Sequence, residues 1–253
     1  YHLSGKISAE GNIKNGEKDG IWKEYFQNSK LKAEGNYING KREGVWKEYY
    51  HNGELHYEVN FINGKKEGIS KTYFQDGELR HEVNFINGKK EGIWKTYFQD
   101  GELYEEGSYV NNKREGIWKE CFIQGSTKPC LEGSYISGEK EGVWKGYYHN
   151  GELYAEQYYL AGGLLGVKSW YENGQLKIEM IKNLIIDEAL RYIETVEIEY
   201  YENGQLKSKN ITKDRSLYEA KMWYENGQLK KEITDFEKIE KCWDEEGNRI
   251  ECE

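Results

Sequence analysis

Apolar and polar residues alternate along nearly the whole chain with a period of two, and glycine-bearing turns break the alternation at short intervals. In the stretch from Gly92 to Tyr109, Ile93-Trp94-Lys95-Thr96-Tyr97-Phe98 runs into Asp100-Gly101, and Leu103-Tyr104-Glu105-Glu106-Gly107-Ser108-Tyr109 follows. A period of two places successive side chains on opposite faces of a strand, so this stretch predicts a β-hairpin. It recurs lightly edited. Trp22, Trp46, Ser70, Trp94 and Trp118 stand at a strict spacing of 24 residues, and Trp144 follows after 26. The pattern defines an all-β array of tandem hairpins in which each unit contacts mainly its neighbours.

Two kinds of turn separate the strands. Asn52-Gly53, Asp76-Gly77, Asp100-Gly101, Asn150-Gly151, Asn173-Gly174, Asn203-Gly204 and Asn226-Gly227 have the composition of two-residue type I′ turns. Asn39 to Gly44, Asn63 to Gly68, Asn87 to Gly92 and Ser137 to Gly142 read as longer, looser connections. A two-residue loop at Asp100-Gly101 sets Phe98 against Leu103, Tyr97 against Tyr104, Lys95 against Glu106 and Trp94 against Gly107. The same rule pairs Lys23 with Glu34, Lys47 with Glu58, Lys71 with Glu82 and Lys145 with Glu156. These opposite charges mark the register. A three-residue loop with a glycine bulge shifts every pair by one and loses them, which favours the shorter loop. Carried through the loose turn, Phe85 falls opposite Trp94 and Ile86 opposite Ile93. One face then carries Trp94, Phe98, Leu103 and Tyr109, with each tryptophan covering the gap at a strand glycine such as Gly35 or Gly107. The other carries Ile93, Lys95, Tyr97, Tyr104, Glu106 and Val110.

Residues 1–165 form the regular part. Residues 166–253 are divergent repeats, with Lys168 near the former tryptophan position, an insertion near 183–195 and a capping hairpin from Trp243 to Cys252. The insertion is compatible with a short helical turn or with a lengthened hairpin. Tyr1 aligns with Tyr25, so the sequence begins within a repeat, and an upstream segment is expected.

The phrase Tyr-Glu-Asn-Gly-Gln-Leu-Lys at Tyr171, Tyr201 and Tyr224, together with the Gly-Ile-Trp-Lys series, resembles the bacterial variant of the MORN repeat over most of residues 5 to 234. That resemblance implies an elongated, twisted, single-layer antiparallel meander and a binding or scaffolding role. Some relatives are YwqK-type antitoxins, and others are envelope or secreted proteins. This chain departs from the pattern at Ser70, in a two-residue insertion after Gly125, and in its spacing beyond Gly166.

Composition narrows the function. With 37% hydrophobic residues, 29 glycines, 22 tyrosines and one proline, the chain is too aromatic for disorder. A net charge of −9 argues against nucleic acid or anionic membrane as partner, and the absence of an 18-residue apolar run argues against a transmembrane segment. Keeping Lys119 opposite Glu132 places Cys121 opposite Cys130, within disulfide reach, and Cys242 and Cys252 flank the last turn as a second candidate pair. Disulfides point to a secreted or cell-envelope protein; buried thiols in a cytoplasmic protein are the alternative. Neither pair has zinc-site spacing. His2, His51, His56, His81 and His149 are scattered repeat substitutions, and no nucleophile, phosphate loop or metal cluster is recognisable, so neither catalysis nor a cofactor is expected.

The expected partner-binding surface is the aromatic stripe Trp22, Phe26, Trp46, Phe74, Trp94, Phe98, Trp118 and Trp144, because a single-layer sheet leaves such a stripe uncovered. The alternative is that these rings serve to hold the thin sheet together. The expected function is a non-enzymatic interaction protein of the bacterial envelope or exterior, binding a host, envelope or toxin protein or itself. An antitoxin or immunity protein ranks second. A glycan or choline binder ranks third, because the second strand supplies Leu and Glu where an aromatic cage needs rings.

Overall fold

The computed structural model describes residues 1–3, 5–120, 130–186, 191–234 and 239–252. Among these residues there are twenty-one strands and no helix, and every pairing is antiparallel between strands consecutive in sequence. The fold is thus the β-meander of tandem hairpins that the alternation predicts. It divides into two compact units, Tyr1–Thr127 with Tyr135–Gly138, and Lys128–Ser134 with Glu139–Glu253.

Both kinds of turn are present, with their geometries exchanged. Ile86 pairs with Lys89 across Asn87-Gly88, where φ is 52° and 82°. Two successive positive values are what a type I′ turn requires, so the supposedly loose connections are the tight ones. Lys89 and Lys90 already belong to the strand Lys89–Tyr97. Gly92, at φ 80°, then opens a bulge, so that Phe85 pairs with Lys90 but Val83 pairs with Trp94. Because the turn has only two residues, Phe85 and Ile86 pair with Lys90 and Lys89 in place of the expected Trp94 and Ile93. The Glu91 carboxylate accepts the backbone N–H of Asn111 in the next tight turn, at 2.9 Å. Glu43 does the same for Asn63 and Glu67 for Asn87, each at 2.7 Å.

The Asp100-Gly101 turn is a three-residue loop. The N–H of Phe98 donates to the Glu102 carbonyl at 2.8 Å, that of Gly101 donates to the Phe98 carbonyl at 3.0 Å, and of the two turn residues only Gly101 takes a positive φ, 84°. The Asp100 carboxylate accepts the N–H of Glu102 at 3.1 Å and fixes the loop. Such a loop shifts the register by one, yet Lys95 still pairs with Glu106. A second bulge offsets the first shift: Tyr97 pairs with Leu103 and Thr96 with Glu105, leaving Tyr104 as the extra residue. Leu103 therefore joins the face of Tyr97 rather than that of Phe98. Tyr104, expected opposite Tyr97, packs edge-on against Phe98 at 5.0 Å. His56 on Tyr50 and Tyr154 on Tyr148 repeat that contact.

In the second unit, Ile178 to Ile186 pair without interruption against Glu199 to Arg191. The insertion is therefore a lengthened hairpin, with residues 187–190 outside the described set. Lys168 pairs with Glu156 and Glu179 and so stands in the lysine row, while Val167 occupies the tryptophan position opposite Gln157. The recurring Tyr-Glu-Asn-Gly phrase gains a physical reading here. Tyr171 Oη donates to the Tyr200 carbonyl at 2.9 Å and Asn173 Nδ2 to the Glu202 carbonyl at 3.2 Å, and Tyr201 and Asn203 repeat both bonds one turn on. The final hairpin turns through Asp244 to Asn248, and a disulfide joins Cys242 to Cys252, with Cα atoms 5.3 Å apart. Cys121 and the insertion after Gly125 lie outside the described residues, and with them the expected Cys121–Cys130 pair.

Candidate functional site

The two faces of the repeat sheet differ in kind. On one, the tryptophans lean toward the preceding strand rather than the following one. Trp22 is paired with Gly35 and Trp94 with Gly107 along the backbone, but the ring over Gly35 is that of Trp46 and the ring over Gly107 is that of Trp118. Trp22 covers Gly11 and Trp144 covers Gly133 in the same way, and a Cβ on any of these four glycines would fall within the indole. Each of these tryptophans also donates Nε1 to a main-chain oxygen next to its glycine. Trp46 reaches the Asn36 carbonyl at 3.1 Å and Trp118 the Ser108 carbonyl at 3.2 Å.

A cation closes each site from above. Lys18, Arg42, Lys90, Arg114 and Lys140 lie 3.9–4.3 Å from the ring centroids of Trp22, Trp46, Trp94, Trp118 and Trp144. All but Arg42 also stand over a tyrosine, as Arg114 does over Tyr135 at 5.2 Å. Edge-on contacts link the rings, Tyr37 to Trp46 at 5.1 Å and Tyr109 to Trp118 at 5.3 Å. This cation row went unread in the sequence because its members fall in the stretch taken for a loose turn.

Trp46, Trp118 and Trp144 are consequently 2%, 0% and 0% exposed. Of the eight aromatics expected to form a partner-binding stripe, these three present no free ring surface. Trp22, Trp94, Phe26, Phe74 and Phe98 keep partial exposure, and Phe26 stacks on His51 at 3.8 Å. Trp46, Trp118 and Trp144 thus form the interior of a one-layer sheet, held under cations instead of under a second layer.

Two repeats show why glycine and tryptophan go together. Where the chain has Ser70 for tryptophan it has Val59 for glycine, and both are buried. Where it has Val83 beside Trp94, the valine fills the space and the indole turns out of it. Trp94 Nε1 then donates to Glu105 Oε2 at 3.0 Å, and the ring stacks on His81 at 5.3 Å and 19°.

Burial pushes the His81 pKa down, and Arg80, Lys90 and His56 add to the effect. With the folded value below the unfolded one of about 6.5, the unfolded chain binds more protons. The contribution of neutral His81 is therefore complete above pH 6.5 and lost as pH falls through the interval down to the folded value. Denaturant midpoints should drop over that interval, and His81→Gln should flatten the drop. An equal drop in the variant would remove His81 as its origin.

The opposite face carries the chain's exposed aliphatic row. Ile21, Val45, Ile69, Ile93 and Ile117 are 53–68% exposed. Ile21, Val45, Ile69 and Ile93 pair in turn with Asn36, Asn60, Asn84 and Ser108. A second row, Ile38, Ile62, Ile86 and Val110, is also exposed. Shallow grooves of about 320 Å³ between Ile69 and Ile93 and about 400 Å³ between Ile93 and Ile117 separate members of the first row. Beside it runs a ladder of alternating sign, Glu10, Lys23, Glu34, Lys47, Glu58, Lys71, Glu82, Lys95, Glu106 and Lys119, each paired with the next. Tyrosines bound it: Tyr49 Oη donates to Glu34 at 2.8 Å, and burial with this bond pushes its pKa up to about 12. Among the described residues no group of three or more His, Cys, Asp or Glu side chains is placed to hold a metal.

Tandem hairpins that hold tryptophans under cations on one face and leave a patterned face to solvent define a β-repeat protein. The chain belongs to the MORN repeat variant family, whose pattern matches residues 18–39, 42–63, 66–87, 90–111, 140–161, 167–181, 193–214 and 219–234. MORN repeats commonly mediate protein or membrane interactions. Comparison with curated proteins found no match. Among solved structures the chain is similar to one in "Crystal Structure of TcdB2-TccC3-TEV", at 10% identity and a TM-score of 0.20, covering 90% of this chain and 15% of that one. A likeness so distant carries no argument about function.

Proposed function

We propose that this protein is a non-enzymatic scaffold of the bacterial cell envelope or exterior that binds a protein partner through the Ile21–Ile117 face of its first unit. The observation that carries this reading is the exposed, regularly spaced row of branched aliphatic side chains, 53–68% exposed, on a sheet whose opposite face buries Trp46, Trp118 and Trp144. Exposed contiguous apolar surface marks interaction sites, and β-branched residues on strands lose little side-chain freedom on binding. The Cys242–Cys252 disulfide supports an oxidising compartment. An antitoxin role is the same chemistry with a toxic enzyme as partner.

The test is capture on the immobilised full chain from an extract of the producing cells. Ile69→Glu with Ile93→Glu is expected to abolish recovery of a specific protein, while Lys90→Gln on the opposite face leaves it intact. Recovery unchanged by the glutamate pair would end this assignment.

A further inference from the structure

We infer that the occupant of the Ile21–Ile117 face is a second copy of the same face, packed sheet to sheet about a two-fold axis parallel to the strands. This rests on the proposed function and narrows it to a partner.

The argument begins with parity. In the first unit every isoleucine or valine of the first row and every lysine of the charge ladder sits on one set of alternate strands. Every Asn or Ser of the row and every glutamate of the ladder sits on the other set. A two-fold axis parallel to the strands and midway between two of them leaves each row facing itself and exchanges the two sets. One operation thus lays each aliphatic ridge over an Asn or Ser groove of the other copy and each lysine over a glutamate. The grooves beside Ile93, about 320 and 400 Å³, are lined by Asn84, Ser108 and the second ridge on either side, Ile69 or Ile117. An unshifted arrangement would set ridge on ridge and like charge on like charge, so the face is complementary to itself in only one of the two registers. That is the behaviour of an isologous interface.

The area is also sufficient. Strands about 4.8 Å apart and side chains of one face about 6.8 Å apart along a strand give the two aliphatic rows and the ladder a footprint of about 20 Å by about 40 Å. This is on the order of 800 Å², the share each partner buries in a standard interface. Packing two twisted sheets about 10 Å apart at about −30° is an established mode for faces of this kind. The second row, Ile38 to Val110, meets the aliphatic stems of Lys41, Lys65, Lys89 and Lys113, its own strand partners, whose ammonium groups reach solvent at the rim.

Sedimentation equilibrium of the purified full chain tests this without any other protein. A dimer is expected, and Ile69→Lys with Ile93→Lys should leave a monomer whose circular dichroism matches the parent, since both side chains are already 60% and 62% exposed. The charge ladder supplies a rescue that a generally sticky surface would not show. Lys71→Glu with Lys95→Glu should weaken the dimer at least tenfold, and reversing every remaining charge of the ladder from Glu10 to Lys119 as well should restore it, because a ladder exchanged in full is again complementary to itself. A monomeric parent, or a dimer indifferent to both sets, overturns the inference. A monomeric parent that still captures a different protein through Ile69 and Ile93 would leave the scaffold reading standing and remove only the second copy.

Discussion

Trp46→Ser is expected to cost roughly 3–5 kcal/mol, the range for emptying a buried aromatic site, and Gly35→Val is expected to be damaging by itself because its Cβ falls inside the Trp46 ring. Made together, the two changes should cost much less than their sum. The chain already contains the combined solution at Val59 and Ser70, both buried, with Lys66 bridging Tyr57 and Phe85 where other repeats have a tryptophan. Residues sharing one site show coupling of roughly 0.5–3 kcal/mol, and here its sign should be favourable. Tyr57 stands where the Trp46 repeat has Ala33, so adding Ala33→Tyr should recover more of the loss. Denaturant midpoints of the two single variants, the pair and the triple decide the matter. Strict additivity would mean that ring and glycine do not share a site.

The second large effect is expected at Gly107. Gly107→Ala places a methyl group within the indole of Trp118, which is fully buried and tied to the Ser108 carbonyl. Overpacking of a filled site costs about 1–3 kcal/mol and on occasion more, and this substitution belongs at or above the top of that range. One escape exists, and Trp94 shows it: the indole can turn out of the site. In that case tryptophan emission should shift toward the red as Trp118 meets water. A variant as stable as the parent, with unchanged emission, would show that the glycine is not required by the ring above it.

Much of this architecture is legible in the sequence, and what is not has identifiable causes. The alternation and the lysine–glutamate matches fix the strands and their register. The turn types are misread because both connections contain Asn-Gly or Asp-Gly. The longer loop at Asp100-Gly101 and the bulge at Tyr104 also cancel, so the charge pairs are the same for either loop. Only Leu103 and Tyr104 record the difference, and a leucine next to a tyrosine fits both faces. The tryptophan contacts fail for another reason. Register names the residue opposite Trp94, but whether a ring leans to the preceding or the following strand depends on side-chain geometry that a single repeat does not reveal. The coupled change of Gly35 to Val59 and Trp46 to Ser70 is the signal that does reveal it, since it links residues 11 apart. The isoleucine row is legible in the sequence at Ile93 and Val110, but its lysine and glutamate neighbours leave the aromatic face the more apolar of the two.

Each buried tryptophan and the glycine beneath it lie on the two arms of a single hairpin, joined by a type I′ turn. Arg42 and the Glu34–Lys47 pair accompany Trp46 on that hairpin. The segment that must be copied intact when such an array lengthens therefore runs from glycine to tryptophan. A duplication cut at the three-residue loops would preserve it, whereas one cut at the type I′ turns would separate ring from site. Because the matching parts travel together, each repeat can also drift without requiring a change in its neighbours, as the Val59–Ser70 and Val83–Trp94 hairpins have done. An array built this way can vary its outer face one hairpin at a time while its inner face stays filled.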